Sequence, residues 1–201
     1  MRINNKKHYR ADAENIINFL QYSEGLKTEN RSLNLSTGIP ENVAAHSWRM
    51  GLMVILIAPH LRREANVEKM LKIAMVHDLV EVEAGDVSVL EHFGNAERAA
   101  KKNDDEEAAM ANIRKMLPGV NDQVGAEIEI LWRDYNEQGS FEAQVVKAID
   151  KLEARLQLIL DPEREINTND GIQKSIQQKA EELCSVDPIL VELEQITRIE
   201  S

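Results

Sequence analysis

One cysteine, Cys184, is all that the 201-residue sequence holds, so no disulfide can form within the chain. That excludes a disulfide-stapled scaffold and suits a reducing compartment. No apolar run is long enough to cross a bilayer. The longest, Leu52 to Ala58, falls far short of the roughly 20 residues a spanning helix needs. The N-terminal stretch Met1 to Lys7 is basic, but no apolar segment follows, so no secretory signal is expected. Excess positive charge is missing as well. Asp and Glu number 35 against 24 Lys and Arg, a net charge of -11. Such a field repels polyanions, which makes nucleic acid or an anionic membrane surface a poor partner. A small anionic substrate remains open to it where local cations or a metal offset the field. A cytoplasmic location follows as the expectation.

Internal repeats, low-complexity linkers and an obvious domain boundary are also lacking. Hydrophobic residues make up 43% and charged residues 29%, an ordinary globular balance. One domain over residues 1–201 is expected, with a core at about 10–160 and C-terminal helices at about 170–200.

Helical periodicity fills the sequence, and alternating β-branched runs are scarce, so the expected class is all-α, a helical bundle. The spacing predicts a first helix over Asp12 to Ser23 with Ile16, Ile17 and Leu20 inward, then a polar loop from Gly25 to Pro40. A loop of that length is often functional. A second helix starts near Asn42 with the stripe Val43, His46, Met50, Met53 and Ile57, and Pro59 ends it. Asn66 caps a third helix with Met70, Ile73, Ala74 and His77 on one face. Further helices are predicted over Ala96 to Met116, ended by Pro118-Gly119, and over Asp122 to Glu137, ended by Gly139. The latter turns Val124, Ile128, Leu131, Trp132 and Tyr135 inward. Ser140 caps a helix with Val146, Asp150 and Ala154 on one stripe. Two more follow, over Gly171 to Cys184 and Pro188 to Ile199.

The informative feature is where polar residues fall. His46, His77 and Asp150 sit on the apolar stripes of three different helices, with Asp78 beside His77. A carboxylate in a core is costly unless it is compensated. Three such residues on three inward faces need a common partner, and a divalent cation supplies one. Two imidazoles and two carboxylates suit Mn, Fe, Co, Ni or Zn better than a dedicated calcium or thiolate-zinc site. One metal is expected, with Co, Mn, Ni, Fe, Mg and Zn all open. Glu81 lies four residues after His77 and three after Asp78. If the helix runs on, the three share a narrow arc, and Glu81 is placed as a general acid or base. Asp86, after Gly85, points into the same cleft from a loop.

At these residues the sequence resembles a known family. Glu41-Asn42-Val43-Ala44-Ala45-His46-Ser47-Trp48-Arg49-Met50, then His77-Asp78-Leu79-Val80-Glu81, Gly85-Asp86, and Lys147-Ala148-Ile149-Asp150-Lys151-Leu152-Glu153 are similar to the HD-domain 5′-deoxynucleotidases. The resemblance implies a helical bundle with one divalent metal. It implies a homodimer, and hydrolysis of deoxynucleoside 5′-monophosphates to nucleoside and phosphate. It assigns His46, His77, Asp78 and Asp150 as metal ligands and Glu81 as the catalytic carboxylate. Asp86 becomes a residue that holds the sugar hydroxyl and helps catalysis, and Arg31 a phosphate-binding arginine. Family members often carry a tryptophan shortly after that arginine, whereas here Ser32-Leu33-Asn34 follow.

Two rivals stand beside this expectation. One keeps the metal and moves the reaction to a phosphodiester, pyrophosphate or triphosphate. The other is a metal-stabilised helical binding protein without turnover, which would have no need of Glu81 and Asp86. Lys147 is expected to be a structural cation, Trp48 and Trp132 core or interface aromatics, and His8, His60 and His92 surface residues. The run Asp104-Asp105-Glu106-Glu107 is expected on a solvated helix face.

Overall fold

The computed structural model describes residues 2–87, 95–118, 122–162 and 170–198, with side chains from residue 9 onward and, in the last stretch, from residue 174. Helices dominate it. Helix α1 (Arg2–Ser23) ends in a tight turn at Glu24–Lys27, and a small antiparallel hairpin follows, β1 (Asn30–Asn34) and β2 (Pro40–Asn42). Then come α2 (Val43–Ile57), α3 (Val67–Val76), the short α4 (Glu81–Ala84), α5 (Ala96–Met116) and α6 (Asp122–Glu137). Helices α7 (Phe141–Leu160), α8 (Asp170–Cys184) and α9 (Pro188–Ile196) complete the order.

The starts of four helices follow from their caps. Asn42, Asn66, Asn95 and Ser140 each turn a side-chain oxygen onto the backbone N–H three residues on, at the heads of α2, α3, α5 and α7. Each satisfies a donor that the first helical turn leaves free.

Two apolar clusters make the core. The larger joins α2, α3 and α7 through Met50, Val54, Met70, Ile73, Val146 and Ile149, and Leu183 and Leu190 of α8 and α9 close it. The smaller forms where α5 and α6 cover the turn after α3, through Val80, Met110, Ile113 and Trp132. Burying each such side chain contributes about 1.5–3 kcal/mol. His46 lies on α2 between Val43 of the smaller cluster and Met50 of the larger. The functional residues therefore gather where two apolar cores meet.

Several expectations need correction. Ile16, Ile17 and Leu20 of α1 are not inward but 45%, 54% and 57% exposed; Phe19 and Tyr22 do the packing instead. The polar loop after α1 contains the hairpin, which β1 forms from the unpromising segment Asn30-Arg31-Ser32-Leu33-Asn34. Val124 lines a surface groove with Leu71 and Met75 rather than the core. Of the two tryptophans expected in a core or an interface, Trp132 is buried in the core and Trp48 is exposed on the surface. Helix α6 turns at Gln138, which takes the left-handed φ of 54° in place of Gly139. Helix α3 stops at Val76, so His77 is its C-cap. The next residues tighten into three-residue hydrogen-bonded turns, Leu79 N–H to Val76 O at 3.1 Å and Glu81 N–H to Asp78 O at 3.0 Å. His60 is exposed, as expected. His92, Gly119, Ile199 and the side chain of His8 lie outside the described residues.

Candidate metal centre

Three segments far apart in sequence deliver the expected ligands to one place. Helix α2 brings His46, the C-terminus of α3 brings His77 and Asp78, and the middle of α7 brings Asp150. Ligand-type atoms of His46, His77 and Asp150 lie within 4.8 Å of one another, and all three residues are buried. Asp78 stands at the edge of this group, half-buried. Its Oδ2 is 3.0 Å from His77 Nε2 and 3.8 Å from His46 Nε2. Asp150 Oδ1 is 3.3 Å from His46 Nε2.

The imidazoles are held from behind. His46 Nδ1 meets Glu153 Oε2, and His77 Nδ1 faces the Ala74 carbonyl at 3.0 Å. An acceptor at each Nδ1 places the ring proton there and leaves the Nε2 lone pair facing forward. Both Nε2 atoms are buried without a hydrogen-bond partner. Two lone pairs and two carboxylates that converge in a buried space repel one another unless positive charge lies between them. The donor set thus fits a divalent cation. Asp150 is oriented in its turn: Tyr135 donates its O–H to Oδ2 at 2.8 Å, and Lys151 Nζ is 3.0 Å from the same oxygen. Lys147 lies over the Tyr135 ring, 3.8 Å from its centre.

The surrounding charges shift one another. Burial works to lower the pKa of His46, but the Asp150 and Glu153 carboxylates outweigh it and hold the ring up at about 9, so that without a cation a proton on Nε2, 3.3 Å from Asp150, stands in for the positive charge the cluster needs. Burial works to raise Asp78, and His77 overcomes it, so that carboxyl falls below the usual range. Asp150 also falls well below it, since Lys151 and His46 outweigh its burial. Glu81 moves the other way. Burial, then Asp78 and Asp86, push it up to about 10. Its Oε2 is buried and unpartnered. Asp86 is raised by burial and by Asp78, against the pull of Arg31.

Sequence spacing placed Glu81 near the ligands for the wrong reason. The helix does not continue from His77, and the tight turn swings Glu81 back beside Asp78. Gly85, at φ 75°, then reverses the chain, so that the Asp86 N–H donates to Glu29 Oε1 at 2.9 Å. Arg31 comes from β1. Its side chain is mostly buried, and Asp150, Asp78, Glu153 and Asp86 hold it charged despite that burial. All the expected site residues therefore belong to one electrostatic neighbourhood.

Other residues there have no role assigned from the sequence, though Glu41, Arg49 and Glu153 lie within the segments that carry the resemblance. Glu41 and Glu153 are fully buried, and Arg49 joins them. Glu153 sits three residues after Asp150, on the same face of α7, and that spacing was a usable signal. Lys102 enters from α5, pairs with Glu106 and acts on Glu81 and Asp86 from across the cleft. It had no signal in the sequence. The acidic run around Glu106 is thus not wholly a solvated face.

Known proteins share this sequence and this fold. A family profile described as an HD domain matches residues 23–185. The Schizosaccharomyces pombe 5′-deoxynucleotidase hdd1 is 36% identical over 160 residues, 78% of this chain and 77% of that protein. The Danio rerio 5′-deoxynucleotidase HDDC2 is 33% identical over 146 residues, 72% of this chain and 68% of that protein. Among solved structures, a protein from Magnetospirillum magnetotacticum, described as a predicted metal-dependent phosphohydrolase, superposes with a TM-score of 0.77. It is 23% identical and covers 92% of this chain and 90% of its own, a likeness of fold.

Proposed function

The chain belongs to the HD-domain family, and from that footing we propose that it is a metal-dependent 5′-deoxynucleotidase. It removes the 5′-phosphate of deoxynucleoside monophosphates, with His46, His77, Asp78 and Asp150 as the residues that hold one divalent cation. The observation that carries this reading is the pair of buried, unpartnered Nε2 atoms facing Asp78 and Asp150. A helical scaffold with no ion to hold has no use for that arrangement.

Bound there, a divalent cation supplies Lewis acidity toward a phosphoryl oxygen and lowers the pKa of water. The chain's own residues do the rest. Arg31, charged and mostly buried, offers planar donors to the non-bridging phosphate oxygens. Glu81 sits beside Asp78 and keeps its proton at neutral pH until positive charge enters the cluster. It is placed to take up and return a proton as water attacks phosphorus. Asp86, turned inward by Gly85, receives a hydroxyl of the sugar. A phosphoryl transition state needs mainly positioning and charge stabilisation, and these groups supply both.

The remaining features are read in the same way. A net charge of -11 favours a small nucleotide over a nucleic-acid polymer. The lone, buried Cys184 suits the cytoplasm. No helix among the described residues is long and apolar enough to cross a membrane. A single domain is supported by α8 and α9, which close the same core as α2 and α7. Ile16, Ile17 and Leu20 on α1, with Trp48, Leu52 and Ile55 on α2, leave apolar surface for a homodimer.

The test is phosphate release from a panel of nucleoside and deoxynucleoside monophosphates, crossed with Co²⁺, Mn²⁺, Mg²⁺, Ni²⁺, Fe²⁺ and Zn²⁺. Inorganic phosphate from deoxy substrates with at least one metal is expected. Metal-loaded protein that releases none contradicts the reading. Pyrophosphate or a monophosphate from larger nucleotides points to the phosphodiesterase or pyrophosphohydrolase alternative.

A further inference from the structure

Arg49 stands on α2, one turn after His46, and belongs to neither the ligand set nor the groups assigned to substrate. Its guanidinium meets three acceptors. The Nε–H donates to Glu153 Oε1 at 2.7 Å. Nη2 donates to Gln157 Oε1 at 2.6 Å and to Glu41 Oε1 at 3.4 Å. Each acceptor leads on to the site. The other oxygen of Glu153 holds His46 Nδ1. The other oxygen of Glu41 lies 3.6 Å from Arg31 Nε and has no hydrogen-bond partner. Gln157 passes its amide N–H to the backbone carbonyl of Asn34, at the end of the strand that carries Arg31. The same Asn34 is anchored at the C-cap of α7, its N–H donating to Asp161 Oδ2 at 2.8 Å.

Charge explains why an arginine is needed. Glu41 and Glu153 are 1% and 0% exposed, and two buried carboxylates so placed repel each other. Arg49 lies against both, and its fork fixes their directions as well as their charge. We infer that Arg49 is a positioning residue that couples His46 to Arg31, so that one guanidinium sets the imidazole at the metal and the arginine at the phosphate. The inference rests on the nucleotidase reading for the role of Arg31, while its metal arm stands without it.

Three single variants of the full chain test it, with two separate readouts. One is the Mn²⁺ dissociation constant, from competition with a fluorescent chelator in the absence of substrate. The other is KM against kcat for deoxyadenosine 5′-monophosphate. Arg49→Lys keeps the charge and loses the fork, so both the metal constant and KM should rise, each about tenfold. Glu41→Gln should raise KM by a similar factor and leave the metal constant within twofold. Glu153→Gln should raise the metal constant first and KM less. A merely structural arginine would lower the melting temperature and leave both constants in place, which overturns the inference. So does a Glu41→Gln that moves both constants equally. These two glutamine variants preserve volume and carry the test should Arg49→Lys fail to fold. If the wild type releases no phosphate, the nucleotidase reading falls. The Arg31 arm is then read from binding of inorganic phosphate, and equal affinity in wild type and Glu41→Gln overturns the coupling.

Discussion

Glu81 shows how one side chain's surroundings decide its work. It is buried beside Asp78 and Asp86, and its carboxyl is held at about 10 against an ordinary 4.5. The unfolded chain therefore gives up this proton first. The stability it contributes is fully present below about pH 4.5 and is lost as pH rises toward 10. Glu81→Gln is neutral at every pH and escapes the loss. In chelator, the variant should melt above the wild type at about pH 8, and the gap should close as pH falls to about 4.5. A gap that ignores pH would show that the carboxyl ionises in the fold as it does in water. In loaded enzyme the same variant should lose about 10²–10⁴ in kcat, with the metal constant within twofold. Undiminished turnover would remove Glu81 from the chemistry. Tyr135 makes a smaller test. Its O–H orients Asp150, so Tyr135→Phe should weaken metal binding by about tenfold in a chelator competition, and unaltered affinity would show that Asp150 orients itself.

The short elements carry the parts that sequence patterns hide. Strand β1 is Asn30-Arg31-Ser32-Leu33-Asn34, with no alternation and no β-branched residue. Only its pairing with β2 and the bonds from Asn34 to α7 make it a strand. The turn at His77 to Val80 contains no glycine or proline, so nothing local announces the end of α3. Caps were legible, because Asn66 and Ser140 satisfy local donors and need no tertiary context. Asn66→Ala should therefore cost about 1 kcal/mol in urea unfolding and leave kcat unchanged. Gly85 differs. Its φ of 75° suits glycine, while an added Cβ would meet only Glu29 Oε1 at an ordinary 3.6 Å. Gly85→Ala should thus cost about 1–3 kcal/mol through the backbone and also lower kcat/KM, because Asp86 turns with it. Loss of stability with full kcat/KM would detach Asp86 from the substrate.

Across the whole molecule, the stripes that hold one face of a helix against a core were readable. Met50, Met70, Ile73, Val146 and Trp132 are all buried as their spacing required. Helix α1 departs from its reading because Ile16, Ile17 and Leu20 face outward while Phe19 and Tyr22 pack, and an amphipathic stripe does not say whether it meets this chain or another. The buried polar residues on those stripes were the legible part of the site, while Arg49, Glu41 and Lys102 look in sequence like any surface charges. Two cores meeting around a cluster of acids also make stability depend on the ion. Mn²⁺ at a hundredfold excess over its dissociation constant should stabilise the fold by about 2.7 kcal/mol, seen as a melting-temperature rise that EDTA abolishes. No shift would mean that the folded chain gains nothing from the ion. The most direct test of the central claim is the anomalous scattering of crystals grown with Co²⁺ or Mn²⁺. One strong peak is expected at about 2.0–2.3 Å from His46 Nε2, His77 Nε2 and the carboxylates of Asp78 and Asp150. A peak elsewhere, or none among these four side chains in metal-saturated crystals, would contradict it.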